Sequence, residues 1–182
     1  MKEQSFHTKD NQTIKLRTGE AKDGFQMHRL TRDILNEQNG LIMTLQDFSM
    51  TVEDQKRKNE GFYYFPSALT MIAEHGQKIV GILTLEPELM VKTSHRGTIG
   101  IIVHKDYRSN GVGKSMMKAM LDWNMQFTIF EKIELEVLES NKRAISLYEK
   151  LGFKTEGITA NAVKHSQGKY ENLLKMGLMA GN

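Results

Sequence analysis

Residues 98–115, TIGIIVHKDYRSNGVGKS, run an extended apolar segment into a glycine-containing turn and from there directly into a helical pattern. The first backbone N–H groups of a helix have no partner within it, so at such a junction they point outward at the turn. With the positive end of the helix dipole they favour an anion, phosphate above all. Gly111 and Gly113 remove the side chains that would hold a phosphate oxygen away from the backbone, and Arg108 and Lys114 add fixed positive charge on either side.

Two nucleotide motifs compete for this stretch. Gly113-Lys114-Ser115 matches the end of G-x-x-x-x-G-K-[ST], but the first glycine of that motif falls at Arg108, where the loop has to turn. In the dinucleotide pattern G-x-G-x-x-G, Gly111-Val112-Gly113 is followed by Met116 where the third glycine belongs. A P-loop nucleotide-binding protein therefore remains an alternative that lacks its first glycine. What the residues do spell is Arg-x-x-Gly-x-Gly, with Val103 five positions ahead of the arginine.

Working outward, Val112, Met116, Met120, Trp123 and Phe127 recur at helical spacing, which predicts one face packed on a sheet with the methionines as core filler. Lys132–Leu138 alternates Ile133, Leu135 and Val137 with Glu134 and Glu136, a strand with one buried face and one solvent-facing acidic side. Ser140 is the expected N-cap of a helix through Ala144, Leu147, Tyr148 and Leu151 that stops at Gly152. Phe153–Ala162 and Tyr170–Met179 read as a closing pair of strands joined at Ser166-Gln167-Gly168.

Upstream, His95–Val103 is the strand that feeds the turn, and Ala68–Ala73 with Ile79–Leu85 form a hairpin around Gly76. Thr51 caps a helix start, and Leu41–Met50 is apolar and irregular. A helix from Asp23 with Phe25, His28-Arg29-Leu30 and Ile34-Leu35 on its pattern ends at Asn39-Gly40. Thr13–Arg17 is a short strand, and residues 1–12 read as a polar, frayed leader ahead of a single domain over 13–182.

With 182 residues, 39% hydrophobic and 26% charged, the chain has the profile of one well-filled globular domain. Its net charge of +3 suits a ligand bearing several phosphates and gives no case for nucleic acid. The absence of cysteine excludes disulfides, thiolate metal sites and a cysteine nucleophile. No apolar run approaches membrane-spanning length, so no membrane partner is expected and the default location is the cytoplasm. The six histidines show no spacing suited to a metal, and none is expected.

Arg108-x-x-Gly111-x-Gly113 resembles the pyrophosphate-binding motif of the GCN5-related N-acetyltransferases. Leu135–Phe153, LEVLESNKRAISLYEKLGF, resembles that family's second signature, a strand followed by Asn-x-x-Ala-x-x-Leu-Tyr-x-x-x-Gly-Phe. The two occur in the family's order, and the tail looks closest to the amino-acid or ribosomal-protein-alanine acetylating branch. The resemblance implies an α/β fold with a central mixed, mostly antiparallel sheet flanked by helices, and acetyl-coenzyme A as co-substrate without a metal. It implies a coenzyme wall of Ile101, Ile102, Val103, Arg108, Ser109, Asn110, Gly111, Val112, Gly113, Lys114, Ser115, Asn141, Ala144 and Tyr148, with Tyr148 as the catalytic acid. It also implies direct transfer to a primary amine on a small molecule or peptide, a backbone N–H around Ile101–Val103 polarising the thioester oxygen, and assembly as a homodimer. A non-catalytic acetyl-coenzyme A-binding regulatory module is the alternative. Two departures stand out: Thr98 where many relatives carry Glu, and Asn172 where an Asp is common.

Each candidate also has an ordinary explanation. Tyr148 shares a helix face with Ala144 and Leu151 and would serve as a core tyrosine, Asn141 as a cap, and Arg108 as half of a surface ion pair. His95 could act as a base but sits between Ser94 and Arg96 as an exposed loop residue would; His75 and His104 read as solvated. Glu86 is a weaker candidate base, and the general base is not named by the residues.

Overall fold

The structure, a computed structural model, describes residues 1–37, 40–65, 67–127, 129–166 and 168–180. Eight strands form one sheet: β1 (Gln4–His7), β2 (Thr13–Thr18), β3 (Leu69–His75), β4 (Lys78–Pro87), β5 (Arg96–Val103), β6 (Lys132–Leu138), β7 (Lys154–Lys164) and β8 (Tyr170–Met179). Their order across the sheet is β1-β2-β3-β4-β5-β6-β8-β7, antiparallel throughout except for the parallel pair β5 and β6. Four helices flank it: α1 (Gly24–Leu35), α2 (Val52–Tyr64), α3 (Val112–Phe127) and α4 (Lys142–Lys150). This is the mixed, mostly antiparallel α/β architecture that the sequence implies.

Strand alternation sorts the two faces. Ile99, Ile101 and Val103 of β5 pack with Ile133, Leu135 and Val137 of β6 under α3 and α4, in a core that includes the fully buried Met116, Met117 and Met120. Ile102 points the other way, toward a smaller cluster in which Met27, Leu30 and Ile34 of α1 cover Ile72, Ile79 and Ile82. The crossover through α3 passes close to the sheet at Gly97, where an added Cβ would stand 2.8 Å from the Phe130 ring and 2.9 Å from Leu85.

Several expectations are corrected. Part of the stretch read as a leader is strand: Gln4–His7 pairs antiparallel with Thr13–Leu16, burying Ile14 and Leu16 beneath the added edge. Phe25 is 59% exposed because it lies across the α1 axis from the Met27, Leu30 and Ile34 stripe. Phe127, the last residue of α3, is 55% exposed, while Met117, Ala119 and Asn124 widen the buried face instead. Helix α1 ends at Leu35 with Asn36 as C-cap; Asn39 and Gln167, to which the sequence assigns turns, lie outside the described residues. The Thr51 start holds, as a capping box with Asp54.

Candidate active site

β5 keeps β4 as neighbour along its whole length, through to Gly81 opposite Val103. Its pairing with β6 stops after three residues, at Thr98 opposite Glu134. Beyond that point the two parallel strands part, and the β6-facing backbone of Ile99–Val103 is left without a strand partner among the described residues. A cavity of about 1000 Å³ lies against the splayed end of β5. Its walls are β5, the loop after it, the start of α3 and α4, with Ile34, Gly40 and Leu41 from the far side of the sheet.

Of the residues the sequence singles out, Ile101, Ile102, Val103, Arg108, Ser109, Gly111, Gly113, Lys114, Asn141, Ala144 and Tyr148 all line this cavity. Asn110, Val112 and Ser115 are not on its wall. Val112 is buried in the core, the Asn110 side chain turns to Asp10, and Ser115 N–H donates to the Gly111 carbonyl at 2.9 Å as part of the opening turn of α3. Gly111 has φ of +95°, a conformation that other residues adopt only at a cost. At Gly113 a methyl group would meet Leu147 at 3.7 Å, Val103 at 3.9 Å and Ile101 at 4.0 Å, all residues of the cavity wall. Gly111 and Gly113 thus bring the start of α3, where the first N–H groups of a helix lack partners within it, to the cavity wall.

Arg108 uses three of its five N–H donors within the chain. Its Nε–H donates to the Val103 carbonyl at 2.8 Å, and its two Nη groups make a bidentate ion pair with Glu37 at 2.6 and 3.1 Å. The ion pair that the sequence offered as the ordinary explanation is therefore present, but at the cavity mouth and only partly exposed. It ties the loop after β5 to the end of α1. Glu37 was invisible to sequence reasoning because its partner lies 71 positions away.

Tyr148 is 7% exposed, and burial pushes its phenol up to about 12. Its ring packs near Phe153, with centroids 6.0 Å apart, so the core role and the place on the cavity wall are both real. Asn141, not Ser140, caps α4: its side-chain oxygen accepts from Ala144 N–H at 3.2 Å, and its Nδ2 lies within 3.5 Å of where a Gly40 Cβ would stand. Ser140 instead donates its N–H to Glu171 at 2.8 Å, and the helix starts one residue later than expected. Asn172 donates to Glu139 at 2.9 Å and accepts from Asn161 N–H at 2.9 Å, so it fastens the last hairpin to the loop leading into α4.

Of the two β6 acids expected on a solvent-facing side, only Glu134 departs from it. Glu134 is 4% exposed and meets Lys132 at 3.0 Å, Arg96 at 3.2 Å and Lys175 at 3.2 Å. Burial alone would raise its pKa, but the hydrogen bonds from Lys132 and Lys175 outweigh that and hold it below the usual carboxylate range. A carboxylate so held is a weak base. Glu136 is exposed, and Glu86 is engaged by Lys58 at 2.8 Å. His75 and His104 are not simply solvated: His75 Nδ1 is 2.9 Å from the Tyr107 hydroxyl, and the His104 ring meets Tyr107 edge-on.

A splayed parallel strand pair above a glycine turn that opens a helix is the arrangement one family is built around. A model of the Acetyltransferase (GNAT) family matches residues 35–153, and the chain belongs to that family. It is 30% identical over 92 residues to the L-amino acid N-acetyltransferase AaaT of Escherichia coli, covering 50% of this chain and 57% of that protein. The chain thus spans little more than half the length of this relative. In fold it is similar to a GNAT-family acetyltransferase from Streptococcus pneumoniae (TM-score 0.87, 23% identity, 91% of this chain and 99% of that one). It is also similar to yncA from Salmonella typhimurium, solved with its cofactor acetyl-CoA (TM-score 0.82, 12% identity, 93% and 95%).

Proposed function

We propose that this chain is an acetyl-coenzyme A-dependent N-acetyltransferase acting on a primary amine. One observation carries the reading: where β5 has parted from β6, one cavity is lined together by Ile101–Val103 of β5, by Gly111 and Gly113 at the start of α3, and by Tyr148 of α4. Acetyl-coenzyme A supplies an activated thioester. The N–H groups at Gly111–Gly113 hold its diphosphate, the unpartnered backbone of Ile101–Val103 lies along its pantetheine arm, and a β5 N–H polarises the thioester oxygen. Asn141 and Ala144 complete the wall from the start of α4.

Tyr148 donates the proton that the departing thiolate needs. A phenol near 12 stays protonated at neutral pH and so is always available as the acid. Attack requires a neutral amine, and a lysine-like amine with pKa of about 10.4 enters mostly charged. With Glu134 and Glu86 both engaged by cations, proton removal falls to water rather than to a dedicated buried carboxylate. The similarity to AaaT supports an amino acid as the first acceptor to try.

Calorimetric titration with acetyl-coenzyme A, followed by thioester turnover against amino acids, polyamines and amino-terminal peptides, tests this. Coenzyme binding with amine-dependent turnover is expected. Binding without turnover on any amine would favour the non-catalytic module, and no binding at all would sink the acetyltransferase reading.

A further inference from the structure

The hairpin between β1 and β2 brings an unanticipated cation to the cavity. The Thr8–Gln12 turn is closed internally, with Thr8 N–H donating to the Gln12 carbonyl and Gln12 N–H to Thr8 Oγ1, each at 2.9 Å. It is fastened to the phosphate loop at two points: Lys9 N–H donates to the Asn110 carbonyl at 3.3 Å, and Asn110 Nδ2 donates to Asp10 Oδ2 at 3.2 Å. Asp10 also accepts from Thr8 Oγ1, so both its oxygens are engaged locally. Lys9 itself lines the cavity and forms no ion pair among the described residues.

On the other side of the same lip, Arg143 of α4 donates through Nη1 to Ser109 Oγ at 3.2 Å. Ser109 has φ of +65°, so the loop is held in a costly conformation by partners on both flanks. Lys9 and Arg143 therefore bracket Ser109-Asn110, just outside the amide cradle at Gly111–Gly113. With Arg108, Lys114, Lys142 and Lys150 they make the described cavity wall cationic, and no carboxylate contributes to it.

Resting on the coenzyme reading above, we infer that Lys9 and Arg143 form the subsite for the 3′-phosphate of the coenzyme. Coenzyme A carries two separate phosphate groups, a diphosphate and a ribose 3′-phosphate. The amide cradle accounts for the first, and the second, farther from the thioester, meets the outer lip. Charge-assisted contacts from two cations suit a dianionic phosphate. The amino-terminal hairpin is thus part of the binding site, and its clasp through Asn110 sets where Lys9 stands.

Titration of the full chain with coenzyme A and with 3′-dephospho-coenzyme A decides the matter, using Lys9→Ala and Arg143→Ala beside the unaltered protein. Each substitution weakens coenzyme A about tenfold and leaves the dephospho form unchanged, and Lys9→Ala leaves thermal stability unaffected because its side chain is exposed and forms no ion pair among the described residues. Equal loss for both ligands, no loss for either, or no preference of the unaltered chain for the 3′-phosphate would overturn the subsite while leaving the coenzyme reading in place. Failure of the unaltered chain to bind either ligand would overturn both.

Discussion

At the scale of single residues, Tyr148 and Arg108 make opposite demands. Tyr148 is a core residue that also lines the cavity, so deleting only the oxygen should spare packing. Tyr148→Phe is expected to lower turnover by about ten- to a thousandfold, with coenzyme affinity within about twofold of the unaltered chain. Parallel loss of both in steady-state kinetics and calorimetry would assign Tyr148 to packing instead. Arg108 holds the Val103 carbonyl and Glu37 at once. Arg108→Ala should therefore weaken coenzyme binding and also lower stability by about 1–3 kcal/mol, since it strands a partly buried carboxylate; urea denaturation reads the second effect. Glu37→Gln, which keeps a hydrogen-bond acceptor and removes the stranded charge, should recover most of that stability in the Arg108→Ala background.

Helix α4 and strand β5 are the elements that shape the fork. The start of α4 is set by Asn141, whose side chain caps Ala144 N–H, and by Ser140 and Glu139, which are pinned to the β8 end through Glu171 and Asn172. Asn141→Ala is expected to cost about 1 kcal/mol of stability through the lost cap. It should also weaken coenzyme binding, whereas Asn141→Asp should keep the cap; a chemical melt of both variants separates them. At the closed end of the fork, Gly97 lets Phe130 and Leu85 meet over the strand. Gly97→Ala overpacks that contact and should destabilise by about 1–3 kcal/mol without touching the cavity wall, measurable as a lower midpoint with unchanged coenzyme affinity.

Across the whole molecule, acid sensitivity should come from carboxylates locked into ion pairs between elements. Asp23, at the start of α1, meets Arg17 of β2 in a bidentate pair at 2.7 and 2.8 Å, and Arg17 also reaches Glu74 of β3. Burial pushes the Asp23 pKa up, but the Arg17 and Glu20 hydrogen bonds prevail and leave it lowered. Glu134 is lowered for the same kind of reason. A folded pKa below the unfolded value means stability that is present above about pH 4 and lost as pH falls through the folded pKa. Thermal midpoints should therefore drop steeply below about pH 4, and Asp23→Asn should flatten that drop while lowering stability at neutral pH. No described helix is long and apolar enough to cross a membrane.

Periodicity and turn chemistry are local, and they made most strands and helices legible: the alternation of Lys132–Leu138, the methionine stripe of α3, the Thr51 cap and the Gly111 turn all depend on residues within a few positions of one another. The glycine turn pointed to Arg108 and Gly113, and the family resemblance to Ile101, Asn141 and Tyr148; the fold brings all five to one cavity. Tertiary structure alone decided which charges meet. Glu37 on Arg108 spans 71 positions, Asp10 on Asn110 spans 100 and Arg96 on Glu134 spans 38, and no sequence period links such pairs. Their meeting follows from the sheet order, which sets the β1–β2 turn beside the loop before α3 and buries Glu134 among three cations. Burial and ion pairing are properties of that packing, so the sequence could supply the groups, while the fold decided which of them are free to bind.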